Sequence, residues 1–297
     1  MAAVLPTPTD AFRPAAAAAP GGPADTGWRA GLKLDYAFNN GKSLLRRQER
    51  HGPLFVQKPF YPEGPATCHT YILHPPGGVV GGDRLCLEVT LAAESQALIT
   101  TPAAGKFYRS AGPAAVQINR LEIGAHAVLE WLPQETIIYS GAVAEMRTMV
   151  RLAERARFIG WEMICLGLPA CAQPFAKGCI HQQLEIWRED KPLLIEPLRI
   201  ASGDALLTDR WGLAGRPVVG TMVATGNDPQ LVADIRRQVS PAPDIGLFAA
   251  TRVQGLIVCR FLGDDVYAGL KLFRRAWEVL RPAVAGREAC APRIWAT

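Results

Sequence analysis

A spacing of thirty residues recurs in the middle of this chain and limits what it can fold into. The blocks Glu94-Ser95-Gln96-Ala97-Leu98-Ile99, Gly124-Ala125-His126-Ala127-Val128-Leu129 and Glu154-Arg155-Ala156-Arg157-Phe158-Ile159 match by residue class at two successive offsets of 30. Leu98, Val128 and Phe158 coincide, and so do Ile99, Leu129 and Ile159. Each block opens with a short polar turn behind a strand-like run that ends on an apolar residue. A fixed period of this size marks stacked structural units. Each unit then reads as one coil of stacked strands. The predicted fold class is mainly β: an irregular β-helix of solenoid-like stacked strands.

The local patterns agree. In Arg84–Leu91, Leu85, Leu87, Val89 and Leu91 share one face and Arg84, Cys86, Glu88 and Thr90 the other, the mark of a half-buried strand. Further strands are expected at 54–57, 68–73, 97–101, 114–123, 127–132, 145–152, 157–165, 182–188, 193–200, 217–225 and 255–261. The 28 glycines and 24 prolines supply the turns and argue against a helical bundle. Near the C terminus the period changes. Asp228 is placed to cap a helix that begins at Pro229 and runs to Arg237. Apolar residues at 266, 270, 273, 277 and 280 predict a longer helix over 265–284. The expected organisation is a single β-helical domain over 27–297 with two C-terminal helices. An Ala/Pro-rich leader over 1–26 is expected to be disordered.

Composition removes several classes of function. The longest apolar run, Phe158–Ala172, is too short to span a membrane and carries Glu162. The net charge of +5 is mild, and Arg46, Arg47 and Arg50 read as a solvated face, so nucleic acid is not an expected partner. Seven cysteines without a C-x-x-C pair, several in apolar strand settings, fit a reducing cytoplasm.

The motifs point to binding more than to catalysis. His74-Pro75-Pro76-Gly77-Gly78-Val79-Val80-Gly81-Gly82-Asp83 fixes an unusual backbone path. It precedes a strand, whereas a phosphate cradle needs a helix N-terminus or a nest, so a structural turn ending on Asp83 is expected. Ala104-Gly105-Lys106-Phe107 resembles half of a nucleotide loop, but Phe107 stands at the Ser/Thr position and Thr100 at the first glycine, which excludes intrinsic nucleotide hydrolysis. Lys106, Phe107, Tyr108 and Arg109 read instead as a contact surface. Cys68-His69 with His74, and Cys171 and Cys179 with His181, lack closed zinc spacing and suit at most a weak, transient metal site. No G-x-S-x-G occurs. Glu135, Glu145 and Glu162 lie in or beside apolar strands, as acid–base groups, as liners of a wet interior or as partners of arginine.

Together, His74–Asp83, Gly105–Ser110, Trp131-Leu132-Pro133-Gln134-Glu135, Glu185-Ile186-Trp187-Arg188 and the terminal Pro292–Thr297 resemble the UreD (UreH) family of urease accessory proteins, from about Trp28 to the end. The resemblance implies an irregular β-helix and a non-enzymatic role. It implies a helical partner, UreF, a GTPase, UreG, and the urease apoprotein, into which nickel is inserted. It implies no permanent cofactor, with nickel as transient cargo moving through an internal tunnel. Asp83, Glu135 and Glu162 are the expected polar path, with Cys68, His69 and His74 as further candidate ligands. Lys106, Phe107, Tyr108, Arg109, Arg293, Ile294 and Trp295 are the expected partner contacts. A β-solenoid carbohydrate-active enzyme using clustered carboxylates is the alternative.

Overall fold

The thirty-residue period is a coil in the computed structural model, which describes residues 27–242 and 245–296; the expected leader over 1–26 lies outside them. The chain enters through a hairpin of β1 (Arg29–Asn39) and β2 (Lys42–His51), then β3 (Phe55–Val56) and β4 (Thr67–Leu73). One coil is β5 (Arg84–Leu91), β6 (Gln96–Thr100) and β7 (Gly105–Phe107). The next is β8 (Ala115–Ile123), β9 (Val128–Leu132) and β10 (Thr136–Ile138). A third is β11 (Val143–Leu152) and the long β12 (Arg157–Leu166). The hairpin β13 (Cys179–Arg188) and β14 (Lys191–Ala201) closes the stack. There follow a single helical turn α1 (Ala205–Thr208), β15 (Val218–Thr225), α2 (Pro229–Gln238), the hairpin β16 (Gly246–Val253) and β17 (Leu256–Gly263), and α3 (Val266–Ala285).

Two sheets face each other. The first has the order β14-β13-β11-β8-β5-β1-β2, and the second runs β16-β17-β15-β12-β9-β6-β4-β3. The strands within the coils pair in parallel. A short third ladder joins β7, β10 and the end of β12. The turns between the sheets stack as expected: Glu94, His126 and Arg155 occupy equivalent left-handed positions, with φ of 65°, 58° and 53°. Backbone bonds link the stacked turns, from Glu94 N to Ala125 O at 3.0 Å and from His126 N to Glu154 O at 3.2 Å. The register differs from the class alignment. Gln96 pairs with Val128, and Val128 with Arg157, so Leu98 lies beside Glu130 and not beside Val128. The first coil is longer than the second because its return loop is longer.

The second sheet is buried on both faces. Ile99, Leu129, Trp131, Phe158 and Ile164 point into the space between the sheets. Leu98, Leu132, Ile159, Trp161 and Met163 lie under Leu270, Phe273, Trp277 and Leu280 of α3. This explains why β9 and β12 read as nearly continuous apolar runs, while β5, with one face in solvent, alternates. Burial of each such side chain favours folding by roughly 1.5–3 kcal/mol. Both expected helices form: Asp228 accepts from Gln230 N at 2.8 Å, and Asp265 accepts from Tyr267 N at 2.7 Å.

Strands β1, β2, β7, β10 and β16 are additions to the sequence reading. Ala30, Leu32, Leu34 and Tyr36 alternate, and Asn40-Gly41, both with positive φ (49° and 78°), make the tight turn of the hairpin. Among the described residues, no helix is long and apolar enough to cross a membrane.

Candidate functional site

The interior is not apolar throughout. The strand β8 turns Gln117 and Asn119 inward, on the same face as Leu121 and Ile123. Register then sets Met146 beside Gln117 and Gln182 beside Met146, and Thr148 beside Asn119. Opposite them β12 contributes Glu162. These residues line a cavity of about 340 Å³ between the sheets, whose wall also includes His74, Lys106 and Trp131. Asn119 Nδ2 donates to Thr148 Oγ1 at 3.0 Å, and the Gln182 amide donates to the Glu162 carboxylate. Burial pushes the Glu162 carboxyl up. Hydrogen bonds from Thr148 and Gln182 lower it in part, and the nearby Glu196 carboxylate raises it further.

The polar row continues beyond the cavity. Thr221 on β15 pairs in register with Glu162, and its hydroxyl donates to Glu196 Oε1 at 2.6 Å. Glu196 on β14 forms an ion pair with Arg260 of β17, which is next to Thr221 in the ladder. Polar groups therefore run across both sheets from Asn119 to the half-exposed Arg260. The row offers oxygen atoms at intervals without a closed metal cage. Among the described residues, no three His, Cys, Asp or Glu side chains converge as a metal site.

The structure separates the other candidate residues. Asp83 is buried, but both carboxylate oxygens accept backbone hydrogen bonds, from Trp28 N at 2.8 Å and Val80 N at 3.0 Å, and Asp83 is not part of the cavity wall. Glu135 also lies outside the wall, flanked by Gln134 and Thr136, which line it. His74 lines it; burial lowers its imidazole, opposed by the Asp83 carboxylate. Cys68 and His69 are consecutive on β4 and point apart. Cys68 lies in the core between the sheets, where burial pushes its thiol up. His69 lies outside that core, bonded through Nε2 to Glu63 at 2.6 Å.

The glycine-rich segment is a packing device. Val79 N donates to Lys106 O at 2.7 Å, and Tyr108 N to Val79 O at 2.9 Å, so the segment adds a rung beside β7. A Cβ on Gly78 would come within 2.1 Å of the Tyr108 ring. Phe107 is fully buried in this ladder beside Ile138, so its side chain is a core element, while Lys106 and Tyr108 are half-buried and Arg109 is exposed. Trp295 is likewise packed inward, 5.8 Å from Trp161 and 5.5 Å from Trp277 between ring centroids, with Arg274 over its ring. Arg293 remains exposed and Ile294 half-buried.

Two groups of residues escape a reading of sequence alone. The first is the set Gln117, Asn119, Thr148 and Gln182; polar residues at core positions of alternating strands are its signal, but only register unites them. The second is a clamp between β9 and α3. Glu130 accepts from Trp277 Nε1 at 2.6 Å and from Arg281 Nε at 3.0 Å, and the buried Arg281 also reaches Glu63 at 2.5 Å. Burial pushes the Glu63 carboxyl up, but hydrogen bonds and charge from His69 and Arg281 outweigh it and hold the group at about 2.

A family model described as UreD urease accessory protein matches residues 29–296, from the first residue of β1 to the end of the described chain. The chain belongs to the UreD family. It is 43% identical over 273 residues to urease accessory protein UreD 2 of Brucella anthropi, covering 92% of this chain and 99% of the relative. It is 42% identical to the UreD of Alkalilimnicola ehrlichii over 96% of each chain. It is 40% identical to the UreD of Klebsiella pneumoniae over 93% of this chain and 97% of the relative. The UreD match spans both sheets, the cavity and α3. Part of its Glu185–Arg188 segment is accounted for by structure: Glu185 is buried by donors from Arg147, Gln183 and Trp187, and Arg188 binds Ala153 O and Ala156 O at the third turn.

Proposed function

We propose that this UreD-family chain is a urease maturation factor and not a catalyst. With UreF and UreG it holds the urease apoprotein and assists nickel insertion into the metallocentre, with the polar interior as the route of the ion. The observation that carries the route is the cavity between the sheets, whose wall includes Gln117, Asn119, Thr148, Gln182 and Glu162. Single carboxylates and amides attract a divalent ion and also release it, as a conduit requires. Nickel is cargo in this reading and no cofactor is retained. The seven unpaired cysteines support a reducing, cytoplasmic location. The alternative, a sugar hydrolase, needs two carboxyl groups across a substrate cleft; Glu162 is enclosed between sheets and Glu196 is tied to Arg260.

The test is co-expression with urease subunits, UreF and UreG. The account expects the chain to co-purify with all three and urease activation to require it. Full nickel loading of urease in its absence, or no association with any of the three, contradicts the proposal.

A further inference from the structure

Among the described residues, three of the four edges of the two sheets are blocked. On β14, Pro192 and Pro197 remove N–H groups. The edge at β16 lies against α2, whose Arg236 guanidinium caps Ala250 O at 2.7 and 3.0 Å. The edge at β3 is only two residues long. The remaining edge, β2, has ten residues and no proline.

The chain already uses the first part of that edge. Ser43 N donates to Pro65 O at 3.0 Å, and the Ser43 hydroxyl donates to Ala66 O. A bulge at Arg46, opposite Asp35 and Tyr36, ends this portion. From Arg46 to His51 every residue is exposed. Among the described residues, no backbone group in this run bonds to backbone other than β1. Gln48 and Arg50 reach Val56 O and the Phe55 ring through their side chains alone.

Exposed edges invite pairing, and natural proteins normally guard them. This edge is guarded only by charge of one sign. Arg46, Arg47 and Arg50 stand along it, and the only acid, Glu49, is bound by Arg47. A second copy of the same edge is repelled by like charge. A strand carrying carboxylates meets charge complementarity and a row of open backbone groups. We propose that the Arg46–His51 edge of β2 takes up an acidic, extended segment of a partner protein as an additional strand of the first sheet.

The test uses the full chain and a fluorescein-labelled hexapeptide of alternating Glu and Val. Fluorescence anisotropy is expected to show binding that weakens with salt, and exchange of those amides of residues 46–51 that face away from β1 is expected to slow about tenfold on binding. A peptide with its central Val replaced by Pro, and an alternating Lys/Val peptide, are expected to bind at least about tenfold more weakly. The double variant Arg46→Glu/Arg50→Glu is expected to lose binding about tenfold with at most a small shift of the thermal midpoint, since both side chains are exposed and only the surface contact of Arg50 with the Phe55 ring is lost. Equal binding of the proline peptide means charge attraction without strand addition and overturns the proposal. So does slowed exchange elsewhere but not at the outward-facing amides of 46–51, protection of those outward-facing amides before peptide is added, or dimerisation of the chain through this edge.

Discussion

Asp83 and Glu63 are both buried acids, and their partners give them different consequences. Asp83 joins Trp28 N and Val80 N, the start of the chain and the glycine-rich turn. Asp83→Ala leaves two part-buried N–H groups without their acceptor, so a loss on the order of 1 kcal/mol is expected in urea denaturation; an unchanged midpoint with reduced nickel delivery would return Asp83 to the ion path. Glu63 has a folded-state value of about 2 against an ordinary 4.5. A depressed carboxyl contributes stability above its unfolded value and loses it as pH falls through its folded value. The urea midpoint of the wild type is therefore expected to fall between about pH 4.5 and 2 more steeply than that of Glu63→Gln. Parallel slopes for the two proteins contradict this.

At the scale of elements, α3 approaches the second sheet through Gly269. A Cβ there would lie 2.6 Å from the Phe261 ring and 3.0 Å from Met163 Cε. Gly269→Val is expected to cost on the order of 1–3 kcal/mol by overpacking, measured by thermal or urea denaturation, with partial recovery when Phe261→Leu makes room. Equal stability of the single variant would mean that α3 packs elsewhere. Helix α3 itself was legible in the sequence, because a 3.6-residue apolar stripe and an aspartate cap are local signals. The coil period was legible for the same reason, since each turn repeats a class pattern. The register was not: it depends on return-loop length, and placing Leu98 beside Val128 instead of Glu130 hid the clamp to Trp277 and Arg281. The candidate site was legible only at Glu162 and His74. Gln117, Asn119, Thr148 and Gln182 stand on three strands, and only the pairing of those strands makes them neighbours. Phe107 and Trp295 resembled contact residues because aromatic side chains serve cores and interfaces equally well.

For the molecule as a whole, the two sheets pack over an apolar core that holds one partly polar cavity, and α3 secures the second sheet through a buried ion cluster. Burial between these sheets is the largest reason that the Glu162 carboxyl resists ionisation. Its raised value means that its contribution to stability is present below the unfolded value and lost as pH rises through the folded one. Removing the acid while keeping its shape is therefore expected to stabilise the fold at neutral pH and to remove a ligand from the proposed route. The measurement that bears most directly on the proposed function is nickel per urease active site, determined beside pull-down yield, in urease matured with Glu162→Gln. The account predicts normal assembly of the accessory complex, a urea midpoint equal to or above the wild type at neutral pH, and nickel occupancy reduced by about tenfold or more. Full nickel occupancy with normal assembly would contradict passage of the ion through this interior.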